Sequence, residues 1–174
     1  FECKALKEIK LPEGLQSIGV GAFYRTGIKQ LTIPGSVVKI DVIDKSIKLS
    51  KPSYLKKFKR DSGAIYYEAR ATIKASGKKA VTYKASRITK IKAKTSKVTI
   101  KKGKTTKLQT RVYISKKLKK GYLDPEILKF TTSNKKVVKV SSKGTIKGLK
   151  KGKATVTVKL LTTGKTYKVN VKVK

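Results

Sequence analysis

The sequence predicts a mainly β chain in three parts, and three observations carry that prediction. Residues 1–44 repeat with a gapless period of 22, the pattern changes near residue 45, and short alternating segments follow one another from residue 87 to the end. The expected parts are 1–44, the C-terminal end of a solenoid; 45–86, a capping or connecting segment; and 87–174, a β-sandwich.

Setting residues 1–22 above 23–44 brings Phe1 over Phe23, Leu6 over Ile28, Ile9 over Leu31, Leu11 over Ile33, Pro12 over Pro34, Leu15 over Val37 and Ile18 over Ile40. Apolar residues at fixed offsets, with one short strand per turn, define a leucine-rich type of solenoid whose repeats bury their apolar faces only against neighbours. The expected strands are "EIKL" and "QLTI". The array breaks after Ile40, because the position that should repeat Leu6 and Ile28 is Ser50, followed by Lys51 and Pro52. Two repeats are fewer than a solenoid needs, so these are expected to be the last two of a longer array. Cys3, the single cysteine, falls in the turn before the first strand and is expected to pack as a small hydrophobe.

In 45–86, "PSYLKKFKRDSG" reads as a short helix with Ser53 as N-cap and Gly63 beyond its end. "AIYYEARATIKA" and "AVTYKA" then read as two strands around a turn. A solenoid end exposes apolar surface and needs a cap. Phe58, Tyr66, Tyr67 and Ile73 are too apolar for a plain linker, so this segment is expected to be that cap.

From Arg87 the expected strands are "KVTIKK", "KLQTRVYI", "ILKFTTS", "VVKVSS", "GTIKGL", "ATVTVKLL" and "TYKVNVKV". About seven short strands with turn signals between them argue an Ig-type sandwich. In the last, Val169, Val171 and Val173 share one face, and Lys168, Asn170, Lys172 and Lys174 the other. A period of two means a half-buried strand, and the lysines take the wet side.

The pattern "AF…I…LTIP.SV..I" resembles the BspA-like leucine-rich repeats of bacterial surface proteins. "TSNKKVVKVSSKGTIKGLKKGKATVTVK", with "KVTIKKGKTTKLQTRV" before it and "GKTYKVNVKV" after it, resembles the bacterial Ig-like group 2 domain, related to those of intimins and invasins. These resemblances imply a secreted or cell-surface bacterial protein, with the repeat array as interaction surface and the Ig-like domain as stalk. They also raise the Lys–Asn cross-link found inside some Ig-like domains, for which Asn134 and Asn170 are the only acceptors and Asp124 or Glu126 the only local proton carriers. One departure is "SKKLKKGYLDPEILKF", longer and more basic than the usual connection between the second and third strands.

The composition excludes more than it assigns. Zero His removes the commonest general base and metal ligand, and nine scattered carboxylates leave little else, so neither catalysis nor a cofactor or metal is expected. "GLKKGKAT" has three residues rather than four between its glycines, and Ala154 stands where a phosphate loop needs Ser or Thr. Ser53-x-x-Lys56 lacks companion motifs. No run approaches a membrane span.

Lys and Arg number 46 against 9 Asp and Glu, a formal charge of +37. The alternative function is therefore a lysine-rich polyanion-binding module for teichoic acid, glycosaminoglycan or nucleic acid, with Lys116, Lys117, Lys119 and Lys120 in the long connection as candidate contacts. Only five of the basic residues are Arg, the residue that reads phosphates and guanine edges bidentately, and no aromatic platform interleaved with basic residues stands out. Carbohydrate recognition, without a single Trp, ranks third. The expected partner is a protein or cell-surface glycan bound by a monomer, with polyanions as nonspecific partners.

Overall fold

The computed structural model describes residues 3–174, which leaves the Phe1–Phe23 pairing outside the described residues. The chain divides into two compact units: residues 1–70 with 84–86, and residues 71–83 with 87–174.

The first unit carries two parallel ladders. Strand β1 (Ser17–Ile18) pairs with β3 (Lys39–Ile40) at the 22-residue spacing, and β2 (Gln30–Thr32) pairs with β4 (Lys48–Ser50). In the second ladder Leu31 faces Leu49, a spacing of only 18 residues. A shortened third turn thus continues the solenoid where the gapless period put Ser50 under Ile28. Of the two expected strands, "QLTI" supplies β2, whereas "EIKL" is unpaired. Ile28, Leu31, Ile33, Val37 and Ile40 are all buried, but their counterpart Ile9 is 42% exposed. Cys3 is exposed, which corrects the expected packing: its carbonyl accepts from the Leu6 amide, and that turn holds it at the surface.

The helix expected over "PSYLKKFKRDSG" is instead a strand, β5 (Leu55–Lys59), paired antiparallel with the first half of β6 (Ile65–Ala75). Leucine and lysine are good helix formers, but here a neighbouring strand supplies the partner and tertiary context overrides propensity. Leu55 is fully buried, Phe58 stacks on Tyr66 at 5.3 Å, and β6 also covers the free side of β3 through Lys39–Glu68 and Ile40–Tyr67. Buried Tyr54 donates to the Gly35 carbonyl, and burial, helped by Glu13, pushes its phenol up to about 12.

The second unit opens with a hairpin: β6 turns at Ser76 and Gly77 into β7 (Lys78–Lys84). The sandwich follows with β8 (Ile88–Ala93), β9 (Lys97–Ile100), β10 (Thr105–Lys107), β11 (Thr110–Ile114), β12 (Lys117–Leu118), β13 (Tyr122–Leu123), β14 (Leu128–Thr132), β15 (Val138–Val140), β16 (Thr145–Gly148), β17 (Gly152–Leu160) and β18 (Thr166–Val173). One sheet runs β14-β17-β18-β9, with β9 parallel to β18; the others run β10-β16-β15 and β12-β11-β8.

The period-two reading of the last strand holds: Val169, Val171 and Val173 are at most 2% exposed, while Lys168, Asn170 and Lys172 face water. Across the ladder Val156, Val158 and Leu160 are fully buried and Lys159 is exposed. Each such aliphatic side chain contributes about 1.5–3 kcal/mol by leaving water. Gly144 closes the turn before β16 at φ 78°, and a Cβ there would lie 2.8 Å from the Phe130 ring. Several elements were not expected. "ITKIKA" forms β8, whose Ile88 and Ile91 are buried, and the long connection contains β12, β13 and a turn of 3₁₀ helix at Pro125–Ile127.

Candidate interaction surfaces

The long connection after β11 is an ordered structure, not a floppy loop. Ile114 pairs with Lys117 across a two-residue turn whose central residues, Ser115 and Lys116, have φ of 49° and 67°. A tight hairpin turn asks for left-handed residues, and neither of these is the usual Gly or Asn. The chain then passes Gly121, at φ 95°, where a Cβ would meet the Lys74 carbonyl at 2.5 Å. This close approach lets Tyr122 and Leu123 pair with Lys74 and Ile73 of the hairpin.

Asp124 fastens the same corner. Its carboxylate accepts from Lys74 Nζ at 2.7 Å and from the Glu126 amide at 3.2 Å, capping the 3₁₀ turn. Partial burial pushes this carboxyl up, but the hydrogen bonds from Lys74 and the Glu126 amide and the charges of Lys74 and Lys107 outweigh it, so its pKa is lowered from the ordinary aspartate value.

The four lysines expected as candidate contacts all belong to the segment that follows β11. Lys116 and Lys117 occupy the hairpin turn and its strand. Lys119 lies over the Tyr83 ring at 5.2 Å, and with Lys120, Lys78 and Lys79 it rims a shallow pocket of about 210 Å³ lined also by Ile73, Val81 and Tyr83. Lys78 and Lys79 were not singled out because they open β7, distant in sequence from the long connection.

A second basic surface emerges on the β8–β11 ladder. Lys90 and Lys92 alternate along β8 with Lys94 just beyond its end, and Arg111 and Tyr113 alternate along β11, with Arg111 opposite Lys92 and Tyr113 opposite Lys90. The Lys90 and Lys92 ammonium groups lie 5.8 and 5.6 Å from the Tyr113 ring centre. Lys94 and Arg111 lie 5.6 and 5.8 Å from that of Tyr122. Interleaved basic and aromatic residues are therefore present, in correction of the sequence reading: separate strands bring them together. The readable signals were "KIKAK" and "RVY", each placing its side chains on one face at a period of two.

The covalent Lys–Asn possibility is not supported by the placement of its acceptors. Asn134 is exposed and its side-chain carbonyl accepts from the Lys136 and Val137 amides, while exposed Asn170 accepts from Thr155 at 3.4 Å. Among the described residues no group of three or more His, Cys, Asp or Glu comes together, and no helix is long and apolar enough to cross a membrane.

Fold and surfaces define a modular chain, a parallel solenoid turn followed by an Ig-like sandwich. A family model described as bacterial Ig-like domain (group 2) matches residues 87–173, half of the chain, and one described as BspA type leucine rich repeat region (6 copies) matches residues 1–48. The chain belongs to the bacterial Ig-like domain (group 2) family and carries a BspA-type leucine-rich repeat region ahead of that domain. No curated protein matches it.

Proposed function

We propose that the chain is a non-catalytic binding and spacer module of a secreted or cell-surface bacterial protein, in which the repeat unit meets the partner and the Ig-like unit serves as stalk. The observation that carries this reading is the apolar surface left on the repeat unit. Val20 and Tyr24 are 69% and 58% exposed, and with Leu6, Phe23 and Thr26 they line an open hollow of about 630 Å³. Exposed apolar patches of this kind mark interaction surfaces. The Ig-like unit supports the spacer role, because most of its large aliphatic side chains are turned inward and its lysines keep the outside soluble.

Two measurements test the reading. Protease treatment of intact producing cells should release fragments of this chain into the medium; recovery of the chain only from the cytosol would contradict surface display. Beads coated with the chain should adhere to a protein- or glycan-coated surface, and Val20→Asp with Tyr24→Ser should abolish adhesion while the far-UV spectrum is unchanged. Adhesion that ignores this pair would move the contact elsewhere.

A further inference from the structure

We infer that the outer face of the β8–β11 ladder, bearing Lys90, Lys92, Lys94, Arg111, Tyr113 and Tyr122, docks a linear polyol-phosphate chain in which a three-carbon unit separates successive phosphodiesters. This inference is independent of the repeat unit's role and of where the protein resides.

The first reason is that these cations are positioned, whereas most lysines of the unit are only displayed. Like charges face each other on the other sheets as well, at Lys129–Lys159, Lys139–Lys147 and Lys153–Lys172, so charge alone does not set a surface apart. Aromatic support does. The four cations of this face each sit 5.6–5.8 Å from the centre of a tyrosine ring, and each ring holds two of them. A cation held over a ring keeps its charge while losing rotamer freedom, so less entropy remains to be lost when an anion arrives. The Tyr122 phenol registers the same field: a hydrogen bond from Arg111, and further help from Lys94, outweigh its desolvation and lower its pKa.

The second reason is that the unit cannot neutralise the face itself. Residues 71–83 and 87–174 contain two carboxylates, Asp124 and Glu126, and Asp124 is held by Lys74 at 2.7 Å. Two carboxylates, one of them already engaged by Lys74, cannot balance four cations, and an external polyanion supplies the complementary charge.

The third reason is spacing. Lys90 and Lys92 are two residues apart on β8, a step of about 6.6–6.8 Å, and Lys94 follows two residues later in the bend just past the strand's end. Two residues of extended peptide contain six backbone bonds, and a phosphodiester chain with a three-carbon spacer also contains six bonds from one phosphorus to the next. Laid along β8, such a polymer offers about one phosphate per lysine. Lysine meets phosphate as a point charge without needing a fixed approach angle, which suits a flexible polymer.

A nucleic acid strand shares that six-bond repeat but gains its affinity from base stacking and edge readout. Here both rings already carry cations, and the face has a single Arg for bidentate contacts. The base-free polymer is the better match.

The test uses the full chain and three fluorescent probes of equal anion number at 0.15 M salt: a synthetic poly(glycerol phosphate), a single-stranded oligonucleotide and a sulfated polysaccharide. The poly(glycerol phosphate) should bind tightest. Lys90→Gln, Lys92→Gln, Lys94→Gln and Arg111→Gln together should weaken it by at least about tenfold and reduce the slope of log K against log salt by about 3, the value for four lost phosphate contacts on a single-stranded polymer. Removing equal charge from the other sheet, with Lys129→Gln, Lys159→Gln, Lys168→Gln and Lys172→Gln, should weaken it by less than about threefold if contacts are local. Thermal melts confirm folding, and if the fourfold variant melts early, Lys92→Gln and Arg111→Gln singly carry the comparison. Equal losses in the two fourfold variants would overturn the site, and tighter binding of the oligonucleotide or the sulfated chain would overturn the ligand.

Discussion

The hydroxyl groups of Thr110 on β11 and Tyr167 on β18 lie 2.6 Å apart, joining strands 57 residues apart in sequence. Thr110 is 2% exposed, and burial raises the Tyr167 pKa even though the bond to Thr110 opposes the shift. Tyr167→Phe leaves the Thr110 hydroxyl buried without this partner and should destabilise the unit by about 1–3 kcal/mol. Adding Thr110→Val should recover part of that loss, because two apolar groups then face each other. A double-mutant cycle in denaturant checks this: simple additivity would mean that the bond contributes nothing.

Val158 and Lys159 are neighbours in sequence on opposite faces of β17, one fully buried and the other exposed. Val158→Ala should cost about 1–3 kcal/mol and Lys159→Ala under about 0.5 kcal/mol. Chemical denaturation of both variants decides it, and the reverse order would invert the faces of the sandwich.

Asp124 sets an acid limit on its corner. Its carboxyl is more acidic folded than in the ordinary chain, so its contribution is present above the unfolded value of about 3.9 and is lost as pH falls through the lower folded value. Melting temperature should fall below about pH 4, and Asp124→Asn should flatten that part of the profile while lowering stability at neutral pH. An unchanged acid profile would show that the Lys74–Asp124 pair carries no linkage.

Gly144→Ala places a Cβ against the Phe130 ring at a residue with φ 78°, so strain and overlap act together. A loss of about 1–3 kcal/mol is expected by thermal melt. Gly77→Ala in the hairpin, with φ 66° but open space around it, should cost about 1 kcal/mol. Equal costs would make the Phe130 contact irrelevant.

What the sequence disclosed follows from where its signals are local. Val169, Val171 and Val173 announce their face because a strand's period of two is written in adjacent residues. Leu31 and Ile40 announce the solenoid because the period of 22 is gapless through Ile40. Leu49 was hidden because its turn is four residues shorter, and β5 because the partner that makes it a strand lies on β6. The aromatic-basic face was hidden for the same reason: Tyr113 and Tyr122 meet their cations only through the β8–β11 register and the fold of the long connection. Lysine is so frequent here that no cluster stands out in one dimension.

The lysines of the C-terminal half clothe the outside of a sandwich that includes the hairpin of residues 71–83, and that unit should fold by itself. Expressing residues 71–174 alone and following circular dichroism through a thermal ramp tests it most directly. A β-type spectrum and a single cooperative transition are expected, with a lower midpoint when the segment starts at Arg87 and Lys74 can no longer hold Asp124. A random-coil spectrum without a cooperative transition would contradict it.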